Sequence, residues 1–413
     1  MQRLRENALC AFMAGIGCAS VAWLSLYGFA WNDYDTEARP AFEALIQGHA
    51  LGFLRLAPAY GGSLVERAPF ALLPGLWGGG ALSVYRMVAL PCLLAAAVLG
   101  IHLVARMRAK GRSNLAKGIA LAICVANPIT LRAFELGHPE ELLGGCLCVA
   151  AVLLAGAERP LLAGVVLGLA VANKEWALLA AGPALLALPG WRRRAICASS
   201  MVAVAGAVLA PLLIASWGAF AASAAPPSSI FQPWQIWWFF GHHGPVVHGL
   251  FGAVKPGYRV APSWAGRISH PSVLAAGALL TVALWLRRRQ LDSRQAMLAL
   301  ALVLLGRCVL DTWDAIYYPL PFVLALLAWE VEDQERPPVL ALTASVLVWI
   351  SFQWLPGRIS ADEMAAFFLA WSLPLAAWLT VRLAGGGVAD AAERRTRPQE
   401  MTVSSLERLV RTS

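Results

Sequence analysis

Charge is scarce in this sequence. Of its 413 residues 14% are Asp, Glu, Lys or Arg, against about 25% in an average soluble protein, while 59% are hydrophobic. That balance excludes a soluble globular domain and predicts an all-α polytopic membrane protein. Lysine is scarcer still. Only four of the 33 basic residues are Lys, beside abundant Ala, Gly and Arg, the usage of a GC-rich bacterial genome. The formal charge of +9 therefore speaks to membrane topology, and no nucleic-acid partner is expected. No CxxC pair occurs. The eight cysteines lie in or beside apolar runs, and Cys146 and Cys148 fall on different helix faces, so they read as small buried hydrophobes. No internal repeat and no soluble domain is evident. A membrane-embedded unit is expected over 1–384, and the short Gly- and Arg-rich tail, 385–413, is expected to be disordered in the cytoplasm.

What the sequence does have is long apolar runs. A spanning helix needs about 20 apolar residues, fewer inside a bundle. On that scale about 12 spans fall near 9–30, 81–104, 115–131, 141–157, 160–173, 175–190, 195–217, 271–286, 295–310, 315–330, 338–355 and 362–383. The first run follows Arg3 and Arg5 but is longer than the ~7–15 residues of a signal-peptide core, so it reads as a retained anchor. The spans 160–173 and 175–190 are half-length helices meeting at Asn173-Lys174-Glu175. Alternation from a cytoplasmic N-terminus puts 22 of the 33 basic residues inside and 11 outside, as the excess of Lys and Arg in cytoplasmic loops requires. Merging the half-helices would send Trp191-Arg192-Arg193-Arg194 outside and is rejected. Both termini are then cytoplasmic, in a bacterial cytoplasmic membrane. The first and fourth extracytoplasmic loops, about 31–80 and 218–270, are long. Trp234, Trp237 and Trp238 in the latter suit the lipid–water interface.

With this topology the polar residues of helix ends and turns gather on the outer side. Such residues are costly and mark pathways or sites. In WNDYDTEARPAFE, 31–43, Asp33 and Asp35 form a DxD pair just past the first span. One of them can take a proton from a hydroxyl, or the pair can hold a metal; alternatively Asp35 or Thr36 caps the helix that Pro40 opens. That helix carries Phe42, Leu45 and Ile46 on one face and is expected along the membrane surface. Further on, Gly137-His138-Pro139 turns into Glu140 and Glu141, either capping residues at a helix N-terminus or a sugar- and phosphate-orienting group. Lys174, with Trp176 beside it, sits where two half-helices meet, a setting that lines cavities and binds ions or phosphates; the alternative is a solvated Lys174–Glu175 turn. Arg307, Asp311 and Asp314 precede Tyr317 and Tyr318. Arg307 and Asp311, four apart, suit a structural ion pair, with phosphate or sugar contact the other reading. Arg67 and Arg86 are further candidates for an anionic head group. His242, His243 and His248 suggest a metal but lack defined ligand spacing, and loop histidines near a phosphate are the other reading. No cofactor is expected, and a divalent metal is not favoured.

Taken in order, the acidic stretch after the first span, GHPEELL at 137–143, RPLLAGVVLGLAVANKEWALLA at 159–180 and Asp311-Thr312-Trp313-Asp314 with its tyrosine pair resemble the GT-C class of membrane glycosyltransferases, and most of all glycosyltransferase family 87. The resemblance covers most of the first 330 residues. It implies a GT-C-like catalytic bundle over 1–384 that moves a hexosyl or pentosyl unit, mannose among the candidates, from a polyprenyl-phosphate donor to a glycan or glycolipid acceptor in cell-envelope biogenesis. Transfer would invert the anomeric centre, with Asp33 as general base and Asp35 beside it. Lys174, Arg307, Arg67 and His138 would hold the donor phosphate. Glu140, Glu141, Trp176, His242, His243, Asp311, Asp314 and Tyr317 would contact substrate. The rival reading is a transporter or flippase of a lipid-linked glycan. It needs charges near the bilayer midplane and usually a repeat.

Overall fold

The computed structural model describes residues 2–27, 33–57, 61–223, 231–244, 255–288, 290–333 and 336–396. Trp31, Asn32, Pro58, His248 and the end of the tail lie outside these. A backbone in lipid must satisfy its own polar groups, so each apolar run becomes a helix. The helices are α1 (Gln2–Tyr27), α2 (Arg39–Ile46), α3 (Ala50–Leu56), α4 (Gly61–Leu72), α5 (Ala81–Ala109), α6 (Asn114–Val125), α7 (Pro128–Glu135), α8 (Pro139–Gly156), α9 (Pro160–Asn173) and α10 (Ala181–Ala187). They continue with α11 (Gly190–Ser223), α12 (Ala265–Arg288), α13 (Ser293–Leu310), α14 (Leu320–Asp333), α15 (Val339–Trp349) and α16 (Ala361–Thr396). Two short strands, β1 (His242–His243) and β2 (Arg259–Val260), pair antiparallel in the loop between α11 and α12.

Each of the twelve expected spans contains helix among the described residues. Among the described residues eight helical segments are long and apolar enough to cross a membrane alone, while Pro160–Asn173, Glu175–Ala187 and Val339–Trp354 are shorter. The expected span at 315–330 begins only at Leu320. Pro319 and Pro321 fix its start, since proline is tolerated in a first turn but cannot extend a helix backwards. At the other end of the chain α16 runs on to Thr396. Helix α9 packs closely along α11 through Gly164 and Gly168, where a Cβ would collide with the carbonyls of Cys197 and Met201. This is the small-residue spacing by which membrane helices approach.

The bundle has two polar ends. Helices α8 and α13 run antiparallel, with Gly156 against Ser293 at one end and Glu141 against Arg307 at the other. The end with Gly156 carries the arginines: Arg106 and Lys110 on Glu332, Arg294 and Arg382 on Asp333, Arg193 on Glu158. The opposite end carries the candidate site.

Helices α2 to α4 cover that second end with a small core of their own, in which Tyr34, Phe42, Phe53, Leu64 and Tyr85 are buried. Helix α2 keeps its apolar residues on one side. Phe42 is fully buried between Tyr34 and Phe53, while Ile46 is exposed. The helix packs inward on its phenylalanine and leaves Ile46, one turn later, exposed.

The loop tryptophans also depart from expectation. Trp238 is buried, stacks on Phe231 and donates its indole N–H to Asp362 at 2.8 Å. Trp234 stacks on Phe352 and donates to the Ser351 carbonyl at 3.0 Å, and Trp237 donates to that of Leu310 at 2.7 Å. Each indole found an internal acceptor, and a large ring with a satisfied N–H is more stable packed than left at the interface.

Candidate active site

The chain enters the site through a π-helical turn, Tyr34–Ala38, a local widening frequent at functional positions. Neither Asp35 nor Thr36 caps α2, whose N-cap residue is Ala38, without a side-chain cap. Thr36 instead donates to the Asp33 carbonyl, and Asp35 pairs with Arg39 at 3.1 Å. Once the π turn separates them from the start of α2, capping geometry is lost. Asp33 is left facing the bundle with 34% of its side chain exposed.

Opposite it stands His138. Gly137, at φ 87°, closes α7 in the left-handed conformation that glycine adopts without penalty, and Pro139 starts α8 two residues later. The turn buries His138 with its Nε2 3.1 Å from Asp33 Oδ2 and its Nδ1 2.8 Å from Glu140 Oε1. Tyr317 stacks on the ring with centroids 4.3 Å apart. A carboxylate–imidazole–carboxylate chain results, joining the α1–α2 connection to the first turn of α8.

Glu140 and Glu141 are neighbours in that first turn and point about 100° apart. Glu140 is fully buried and meets Arg67 Nη2 at 3.4 Å and Lys174 Nζ at 3.4 Å. Glu141 meets Arg307 Nη1 at 3.4 Å and accepts the Trp176 indole N–H at 3.2 Å, with Lys174 at 3.8 Å. Asn173 donates to the Glu140 carbonyl at 2.9 Å and ties the half-helix junction to α8. The Arg307 guanidinium lies between the rings of Trp176, 4.6 Å, and Tyr318, 4.4 Å. Within this hydrogen-bonded network four cationic groups face three carboxylates, while Glu37 and Glu175 lie further out beside Lys174. Buried charges are retained only when paired in this way.

The Arg307–Asp311 ion pair expected from spacing is absent. Helix α13 ends at Leu310 with the Asp311 N–H still bonded to the Arg307 carbonyl, yet the two side chains turn to other partners. Arg307 goes to Glu141, and Asp311 lies 3.5 Å from His270 Nε2. Asp314 is buried, and among the described residues neither carboxylate oxygen has a hydrogen-bond partner of good geometry. Burial, then the charge of Asp311, pushes its pKa well above the usual carboxylate range. Glu66, beside Arg67, is likewise pushed up by burial, to about 8.

The fold thus brings together Asp33, Arg67, His138, Glu140, Glu141, Lys174, Trp176, Arg307 and Tyr317. It leaves Asp35 with Arg39, Arg86 exposed on α5, and His242 and His243 exposed on β1, where His243 faces Asp362 at 3.5 Å. Among the described residues no three His, Cys, Asp or Glu side chains are arranged to hold a metal ion. Tyr318, Asn173 and His270 join the site without having been given a role from sequence. Tyr318 and Asn173 stood beside marked residues, which names no partner, and His270 lacked even that signal.

Burial works against a charged His138, but the hydrogen bonds to Asp33 and Glu140 outweigh it and raise its pKa to about 9. Above the unfolded value of about 6.5, the folded state holds a proton that the unfolded state has lost. Its stabilising contribution is therefore full below that value and disappears as pH rises through about 9. Thermal unfolding in detergent should show stability falling between pH 7 and 10, and His138→Gln should lack that slope. An unchanged slope in the variant would contradict the charged imidazole.

A family model for glycosyltransferase family 87 matches residues 62–310. The match includes Arg67, His138, Glu140, Glu141, Lys174 and Arg307, and lies C-terminal to Asp33. No curated protein matches the chain.

Proposed function

Because the chain belongs to glycosyltransferase family 87 and is a membrane glycosyltransferase, we propose that it transfers a sugar from a polyprenyl-phosphate donor to a hydroxyl of a glycan or glycolipid, on the outer face of a bacterial cytoplasmic membrane. The observation that carries this reading is the half-open Asp33 carboxylate, held through His138 to Glu140 beside three buried cations.

In this reading Asp33 Oδ2 is occupied by His138, and Oδ1 takes the proton of the acceptor hydroxyl as its oxygen attacks the anomeric carbon. The bond from that carbon to the phosphate oxygen breaks, and the electron pair leaves with the polyprenyl phosphate. The configuration inverts. Lys174, Arg67 and Arg307 stabilise the charge that develops on the phosphate, and they are already fixed before reaction, which is what makes such groups effective. A lipid phosphate departs as a stable anion, so no general acid is required. Trp176 and Tyr318, on the Arg307 guanidinium, and Tyr317, on the His138 ring, would contact the sugar. The arginines at the opposite end of the bundle support the outward placement.

The test is release of lipid phosphate by purified protein from polyprenyl-phosphate mannose, glucose or arabinose, with a nucleotide sugar as comparison and EDTA as a separate arm. Release from a polyprenyl-phosphate sugar supports the reading; transfer from the nucleotide sugar alone overturns it. Arg307→Lys keeps the charge and loses the double stacking, so donor KM should rise roughly tenfold. An unchanged KM would remove Arg307 from the donor site.

A further inference from the structure

At the arginine-bearing end of the bundle, away from Asp33, α5, α8 and α9 leave a groove of about 490 Å³. Its walls are apolar and include Val98, Ala150, Leu154 and Val166, while His102, Arg106 and Arg159 stand at one end. On α5 the lining runs from Ala95 to Arg106, about 16 Å at 1.5 Å per residue. That is half of the ~30 Å hydrocarbon core of a bilayer. The groove therefore has the depth of one leaflet, with its cations at one extremity.

Charge at that extremity is unbalanced. Arg106 and Lys110 share one carboxylate, Glu332, and Glu158 is taken by Arg193. Arg159 is exposed, and among the described residues no carboxylate lies within ion-pair distance of it. Basic pockets between membrane helices suit anionic lipid head groups. We propose that this groove binds one anionic glycerophospholipid, with an acyl chain along Val98 and Ala150 and its phosphate at Arg159 and Arg106. Val98 is 67% exposed, so a chain can enter sideways from the bilayer. The site is separate from the proposed donor site and does not depend on it.

The experiment equilibrates the full-length protein with vesicles of equal phosphatidylglycerol and phosphatidylcholine, then weighs retained lipid by native mass spectrometry. The wild type should retain phosphatidylglycerol in preference. Arg159→Gln should lower that retention about fivefold, the contribution of one basic residue near anionic lipid, and leave phosphatidylcholine unchanged. Ala150→Trp should remove the retained lipid by filling the groove. Equal retention of both lipids by the wild type, or full retention by Arg159→Gln, overturns the proposal. Arg159 is exposed, so its variant gives an answer even if Ala150→Trp does not fold.

Discussion

Asp33→Asn is expected to lower turnover by about 10²–10⁴-fold, the range that a positioned general base supplies, with little change in donor affinity. Asparagine has the size of aspartate and can still accept a hydrogen bond from His138, so the geometry survives while the proton acceptor is gone. The measurement is kcat for release of polyprenyl phosphate, beside donor binding to the same preparation. Asp35→Asn is the matched control. Asp35 pairs with the half-exposed Arg39, an exposed contact worth about 0–1 kcal/mol, and its variant should turn over at a rate close to wild type. Normal turnover in Asp33→Asn would remove the base. Equal loss in both variants would shift attention from one carboxylate to the whole turn.

The second large effect is on stability. Glu140→Gln should destabilise the protein by about 3–5 kcal/mol, the cost of removing one partner from a buried charge pair. Glu140 is fully buried and serves Arg67, Lys174 and His138 at once. Its loss leaves two permanent cations without their shared counter-charge in a poorly solvated place. Thermal unfolding in detergent reads this directly. Glu158→Gln, at the other end of the bundle, removes an ion pair in which both side chains are about half exposed, and it should cost less than 1 kcal/mol. If both variants unfold alike, the network at Glu140 is not the buried unit described. A Glu140→Gln protein that stays folded should also be slow, since His138 loses one of the two carboxylates that hold it.

These effects trace to how each feature was encoded. Helix positions were readable because hydropathy is local: the runs at 81–104 and 295–310 became α5 and α13 with shifts of only a few residues. Membership of the buried charge cluster was readable for a related reason. An ionisable residue at the end of an apolar run is costly, so His138, Glu140, Lys174 and Arg307 stood out one at a time. Partnership was not readable. His138 and Asp33 lie 105 residues apart, and Arg307 and Glu141 lie 166 apart, and no spacing rule spans such gaps. Where a local rule offered a nearer partner it misled, as with Arg307–Asp311, because partners distant in the chain, Glu141 and His270, hold the two side chains instead. Trp234 and Trp238 misled in the same sense, since an interfacial preference describes a ring with no better acceptor. Lys174 shows the other side. A broken helix with a cation at the break was visible in the sequence, and the fold set it between two glutamates of α8.

The most direct test of a one-step displacement at Asp33 is the stereochemistry of a single turnover. A polyprenyl-phosphate sugar of defined anomer would be mixed with excess protein and acceptor, the product's anomeric configuration read by NMR, and the protein weighed for a bound sugar. The account predicts an inverted product, one polyprenyl phosphate released per sugar transferred, and no sugar adduct. A retained configuration, or a sugar covalently attached to the protein, would contradict it.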